Sequence, residues 1–275
     1  MLIDVNAYLG HWPFRQLCHN TAGKLVRLMD RKAIDLAVVS SASAILYKNS
    51  QAGNEELARD VGRHRDRLIP FAVINPSYAD WQHDLTVCVE EFGVSGLRLY
   101  PGYHNYALSD GCCNELVQAA TERKLAISIP IRAVDSRQRH WLIDVPDVSL
   151  DAVAALVKRH PKARFLLVEG IGYTRSPLGK ADDGLPKNYC IEISRLSAVL
   201  RSEIRQLLDA LGRDRVVFGT GVPFKYPDPA LVKLEVLDAT RAEKERIRWR
   251  NAAKVLGIER GGAAPMRGAM RASLL

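Results

Sequence analysis

Short apolar runs alternate along the chain with longer stretches whose apolar residues recur at helical spacing. Eight runs read as strands: residues 2–6, 36–40, 68–74, 96–100, 126–130, 165–169, 190–194 and 216–219. They are continuously apolar rather than alternating, the pattern of strands buried on both faces of a parallel sheet. Between them, residues 21–32, 54–63, 80–92, 112–123 and 150–160 read as helices. Leu200, Ile204, Leu207, Leu208 and Leu211 fall on one face of a further helix. Thr240, with Glu243 three residues on, forms a capping box that opens a C-terminal helix.

Eight strand-like runs, most followed by a helix, predict an α/β fold: one (β/α)8 TIM barrel over residues 1–260. An open doubly wound sheet is the structural alternative. Residues 170–188, rich in Gly, Pro and charge, read as a long loop. Residues 261–275 read as a flexible tail, or as an arm onto a neighbouring subunit.

Composition narrows the partners more than the fold. Hydrophobic residues make up 47% and charged residues 25%, which excludes a disordered or coiled-coil chain. No apolar run approaches the ~20 residues that cross a bilayer. The first residues lack a basic segment followed by a long apolar one, so a cytoplasmic protein without a secretory signal is expected. The charge is 39 − 31 = +8, but the bases are scattered. The densest run, 241–250, is broken by Glu243 and Glu245 and reads as a solvated helix face. The expected partner is therefore a small anionic molecule, with no nucleic acid and no membrane. Five cysteines, an odd count without a CxxC pair, point to a reducing compartment.

In such a barrel, chemistry gathers at the carboxyl ends of the strands. The candidates there are Asn6 and His11 after strand one, Arg98 and Tyr100 at strand four, and Arg132, Asp135, Arg137 and His140 after strand five. Glu169 ends strand six, and Gly219-Thr220-Gly221 ends strand eight. Arg98, Arg132 and Arg137 have the fork that grips a carboxylate or phosphate, with Asn6, Tyr100 and Thr220 as further substrate contacts. Asp135 and Glu169 are candidate bases, and His11 and His140 candidate acids or bases near neutral pH. The backbone N–H groups of 219–221 are a candidate anion cradle. Each has a plainer reading. Arg98 and Glu169 could form a buried ion pair, and His11 could pack under Trp12-Pro13-Phe14. Asp135, Arg137 and His140 could form a salt-bridged turn, and the two glycines only a tight turn. No nucleophile elbow, P-loop, HExxH helix or complete dinucleotide loop is present, so no nucleotide cofactor is expected.

Several segments, in order, give a resemblance. They are Ile3-Asp4-Val5-Asn6 with Gly10, Asn54-Glu55-Glu56-Leu57-Ala58, and 67–76 ending Ile74-Asn75-Pro76. Further on come 93–101 ending Leu99-Tyr100-Pro101, 215–223 with Gly219-Thr220-Gly221, and Asn251-Ala252-Ala253. The chain resembles the amidohydrolase-related (amidohydrolase 2) family of TIM-barrel hydrolases and decarboxylases. The resemblance implies a barrel, hydrolysis or decarboxylation, a divalent metal, and self-association into a homo-oligomer. In that family strand one ends His-x-His, strand eight carries a metal-binding Asp, and strand six often ends in His. This chain has Asn6 and Tyr8, Gly221, and Glu169 in those regions. No metal cofactor is therefore expected, with a site rebuilt from Asp135, His140 and Glu169 as the alternative. The leading expectation is metal-independent hydrolysis of an amide or lactone bond in a small anion. The alternatives are a decarboxylase or other lyase, and a non-catalytic ligand- or partner-binding descendant.

Overall fold

A computed structural model of the chain describes residues 1–181 and 184–258. The tail expected at 261–275 lies outside the described residues. Eight parallel strands follow one another in sequence order around one sheet. They are β1 (Ile3–Leu9), β2 (Leu36–Ser41), β3 (Leu68–Ala72), β4 (Gly96–Arg98), β5 (Ala126–Pro130), β6 (Arg164–Val168), β7 (Tyr189–Glu192) and β8 (Val216–Val217). The ring closes from β8 to β1. Val5 N donates to Phe218 O, Gly221 N to Asn6 O and Tyr8 N to Val222 O, with a parallel bridge between Ala7 and Val222. This is a (β/α)8 barrel, so the open-sheet alternative is set aside.

The strands form where the apolar runs predict them. β1, β2, β3 and β5 are buried at every residue, as two-sided burial demands. The surrounding helices are α1 (Ala22–Arg31), α2 (Gln51–Val61), α3 (Trp81–Glu90), α4 (Gly111–Glu122), α5 (Leu150–Arg159) and α6 (Glu203–Leu211). They continue with α7 (Asp228–Val236), α8 (Arg241–Glu245) and α9 (Asn251–Leu256). The capping box of Thr240 and Glu243 opens α8, and a π-type stretch, Arg246–Arg250, carries it into α9. The sequence pattern misses α7, whose apolar residues do not gather on one face. The long loop after β6 is better packed than its composition suggests. It makes two 3-10 turns and buries Tyr173 and Leu178 completely. Among the described residues, no helix is long and apolar enough to cross a membrane.

Candidate active site at the barrel mouth

Near the barrel axis the hydrogen bonds of Arg98, Asp4 and Thr220 stay within the scaffold, although Arg98 Nε and Ser128 Oγ are buried without a partner. Arg98 is 0% exposed at the end of β4. Its Nη1 donates to Ala7 O at 3.1 Å and its Nη2 to Val5 O at 3.2 Å, while its guanidinium lies 4.6 Å from the Tyr8 ring centre. Arg98 therefore braces β1 and has no face turned to a ligand, contrary to the expected anion grip. Nor does it pair with Glu169. Tyr100 is buried against Tyr103 and His104. Above them Tyr8, Phe224 and Trp12 pack edge to face, with centroids 5.1 Å apart at each step, and lid the axis. Asp4 accepts from Asn6 N, Thr220 N and Thr220 Oγ1, the last at 2.5 Å. Burial outweighs these bonds and pushes the Asp4 carboxyl up to about 7. Thr220 is thus a structural partner of Asp4.

On one flank of the mouth, over β5 to β8, charged groups meet instead. Glu169 follows β6 with φ +60°, a left-handed backbone that costs a non-glycine residue about 1–3 kcal/mol. Its Oε1 accepts from Asn6 Nδ2 at 2.8 Å. Its Oε2 accepts from Arg195 Nε at 2.6 Å and pairs with Lys225 Nζ at 2.7 Å. Arg195 bridges onward through Nη1 to Asp135 Oδ2 at 2.7 Å. Asp135 also holds Arg137 Nε at 3.0 Å. Hydrogen bonds from Arg137 and Arg195 hold the Asp135 carboxyl well below the usual carboxylate range. Of the expected site residues, then, Asn6, Glu169, Asp135 and Arg137 come together, and Arg132 lines the same cavity while paired to Asp147.

The two histidines do not join them. His11 is exposed, and its backbone N–H donates to Ser43 Oγ at 3.1 Å. His140 stacks between Phe14 and Trp141, and its Nδ1 accepts from Leu142 N. Asp135, His140 and Glu169 therefore do not assemble as a rebuilt metal site. A guanidinium already stands between the two carboxylates.

The glycines after β8 make room rather than cradle an anion. Thr220 N is bound to Asp4 and Gly221 N to Asn6 O. A Cβ at 219 would stand 2.5 Å from Glu192 Cγ. A Cβ at 221 would stand 2.4 Å from Glu169 Oε1 and 3.2 Å from Lys225 Cε. Bare backbone at these positions is what admits Glu192, Glu169 and Lys225 to the mouth.

A cavity of about 480 Å³ opens over this flank. Arg15, Arg132, Arg137, Arg195 and Lys225 line it, and Asp135 is the carboxylate among its lining residues. The sequence reading missed Arg195, Lys225, Glu192 and Ser194. The rule that located the others would have reached three of these. The strand-seven run leads directly into Glu192-Ile193-Ser194-Arg195, where three of them lie.

A family model described as amidohydrolase matches residues 28–258. Among solved structures, 2,6-dihydroxybenzoate decarboxylase from Rhizobium is 16% identical with TM-score 0.71, covering 94% of this chain and 98% of that one. A dihydroxybenzoic acid decarboxylase from Polaromonas sp. JS666, with bound manganese and 2-nitroresorcinol, is 17% identical with TM-score 0.72, covering 94% and 97%. A 5-carboxyvanillate decarboxylase from Novosphingobium aromaticivorans, also with bound manganese, is 15% identical with TM-score 0.65, covering 85% and 80%. At these identities the likeness speaks to the fold.

The manganese in two of these neighbours corrects the expectation that no cofactor accompanies this fold. The residues present here do not, as arranged, fit such an ion. Among the described residues no three His, Cys, Asp or Glu gather to hold one. Both Glu169 oxygens already accept from nitrogen donors. Asn6 Oδ1 is buried without a hydrogen-bond partner, but one neutral carbonyl oxygen is not a coordination set. The matched span runs from the first helix to the last and takes in strands two to eight, and on that extent the chain belongs to the amidohydrolase family.

Proposed function

We propose that this chain is an enzyme of its family acting on a small organic anion, and that it cleaves a carbon–carbon bond to a carboxylate. The observation that carries the reading is the lining of the flank cavity, five cationic side chains against one carboxylate. Such a lining attracts and orients an anion. The oxygens of Glu169 and Asp135 already accept from Asn6, Arg195 and Arg137. A mouth rich in N–H donors, with its acceptors engaged, suits charge stabilisation and proton delivery better than the activation of water. In decarboxylation the C–C bond breaks, its electron pair stays on the substrate carbon, carbon dioxide leaves, and that carbon takes up a proton. The neighbouring decarboxylases named above act on carboxylates of this class and support the choice.

Hydrolysis of an amide or lactone is the second reading. Asp135 favours it, because it is the one of the two carboxylates that reaches the cavity. We further propose self-association, as the family resemblance implies. The reaction is tested by incubating the purified protein with 2,6-dihydroxybenzoate and 5-carboxyvanillate, and separately with panels of lactones and amides. Release of carbon dioxide is the expected result. Turnover confined to the lactone and amide panels replaces it with hydrolysis, and turnover of none of them overturns the enzymatic reading.

A further inference from the structure

We infer that Lys225 is the anion-binding seat of this mouth, taking the carboxylate of an organic acid, and that Gly221 is the position that admits it. The inference rests on the reading of the cavity as an anion site, and it names a group that neither the family pattern nor the strand-end residues first suggested.

An ammonium has three N–H donors. Two of Lys225's are engaged: Nζ lies 2.7 Å from Glu169 Oε2 and 2.7 Å from Ser194 Oγ. The side chain is 25% exposed, and it lines both the flank cavity and a second cavity of about 440 Å³ beside it. The third N–H is therefore left for a ligand.

The two engaged donors fix where that third one points. Ser194 Oγ is itself held by donating to Glu192 Oε2 at 2.9 Å. The neighbouring Lys233 Nζ donates to Ser194 O at 2.5 Å. Glu192 and Ser194 are thus positioning residues, and Lys225 is the group that meets the ligand. Arg195 completes the seat. Its Nε and Nη1 are engaged by Glu169 and Asp135, while its Nη2 carries no hydrogen bond among the described residues and the residue lines the same cavity. One ammonium N–H and one guanidinium N–H, both anchored on Glu169, are the pair of donors that a carboxylate's two oxygens accept.

Gly221 is the sequence condition for this arrangement. It has φ +78°, and any side chain there would press on Glu169 Oε1 and on the Cδ and Cε of Lys225. Glycine at 221 and lysine at 225 therefore act as a pair.

The test is titration calorimetry with benzoate and inorganic phosphate on the full chain, comparing wild type with Lys225→Met, Gly221→Ala and, as a remote control, Lys158→Met. Lys225→Met keeps the apolar stem and removes the charge. It should weaken benzoate about ten- to hundredfold, the range for losing a charge-assisted hydrogen bond, while loss of its pair with the buried Glu169 lowers the melting temperature without unfolding the chain. Lys158→Met should bind as wild type. Gly221→Ala should weaken binding as well, and if it fails to fold, Lys225→Met carries the test alone. Equal benzoate affinity in wild type and Lys225→Met overturns the seat while leaving the anion site standing. Phosphate binding without benzoate binding overturns the carboxylate assignment. Silence of the wild type to both anions removes the anion site and the seat with it.

Discussion

The axis of this barrel and its β5–β8 flank both carry polar and charged side chains, yet one closes them off and the other turns them to a cavity. On the axis, Arg98, Asn6, Asp4 and Thr220 lie at most 2% exposed, and the hydrogen bonds of Arg98, Asp4 and Thr220 run to backbone or to each other. On the flank, Arg195, Lys225, Asp135 and Glu169 also bind one another, but both cations line the cavity. The same residue type thus serves as a strut on the axis and as a candidate binding group on the flank. Each arginine engages two of its nitrogens, so burial separates the two, not chemistry: Arg98 is closed off from solvent and Arg195 lines the cavity.

Four outcomes would break or sharpen that contrast, the largest first. Arg98→Ala should cost stability rather than function alone. It strands two buried carbonyls and leaves a cavity beside Tyr8, together worth about 3–5 kcal/mol. Chemical denaturation measures this, and a near-neutral result would mean that Arg98 is not a strut.

The two carboxyls titrate in opposite senses. Asp4 is raised in the folded state from 3.8 to about 7, so the folded chain binds a proton that the unfolded chain has released. Stability should therefore fall as pH rises from about 4 to about 7, by on the order of 1.4 kcal/mol per unit. Asp4→Asn should flatten that slope, because an amide does not titrate in this range, and its Oδ1 can still accept from Asn6 N and Thr220 N. Asp135 is depressed instead, so its contribution is present above about pH 4 and is lost as the pH falls further. Denaturation curves of wild type, Asp4→Asn and Asp135→Asn across that range would show two distinct limbs, and a single common slope would contradict the assignment.

Arg195→Met should cost about 2–3 kcal/mol, since it leaves Glu169 and Asp135 facing each other with Lys225 as the remaining bridge to Glu169. It should also weaken benzoate binding. The smallest effect is expected for Arg137→Ala. Its side chain is 87% exposed, so the melting temperature should not move, and a clear drop would show that Arg137 is part of the network rather than its rim.

Much of this molecule was legible in the chain. Two-sided burial forces continuous apolar runs, and eight such runs in this length leave a barrel as the economical closure. The capping box at Thr240 and Glu243 needs only local spacing, and it forms as read. The strand-end rule also pointed to Glu169, Asp135 and Asn6, which the structure links through Arg195 and a direct Asn6–Glu169 bond. It could not find which strand-end residues face solvent. Arg98 and Arg195 both follow apolar strands, and only the tertiary structure buries one under an aromatic lid and sets the other between two carboxylates. The glycines after β8 show the limit most clearly. In sequence they are two residues without side chains, readable as a cradle or a turn. Their purpose appears only when β6, β7 and the loop after β8 converge, because the space a missing Cβ leaves has meaning only once its neighbours are in place.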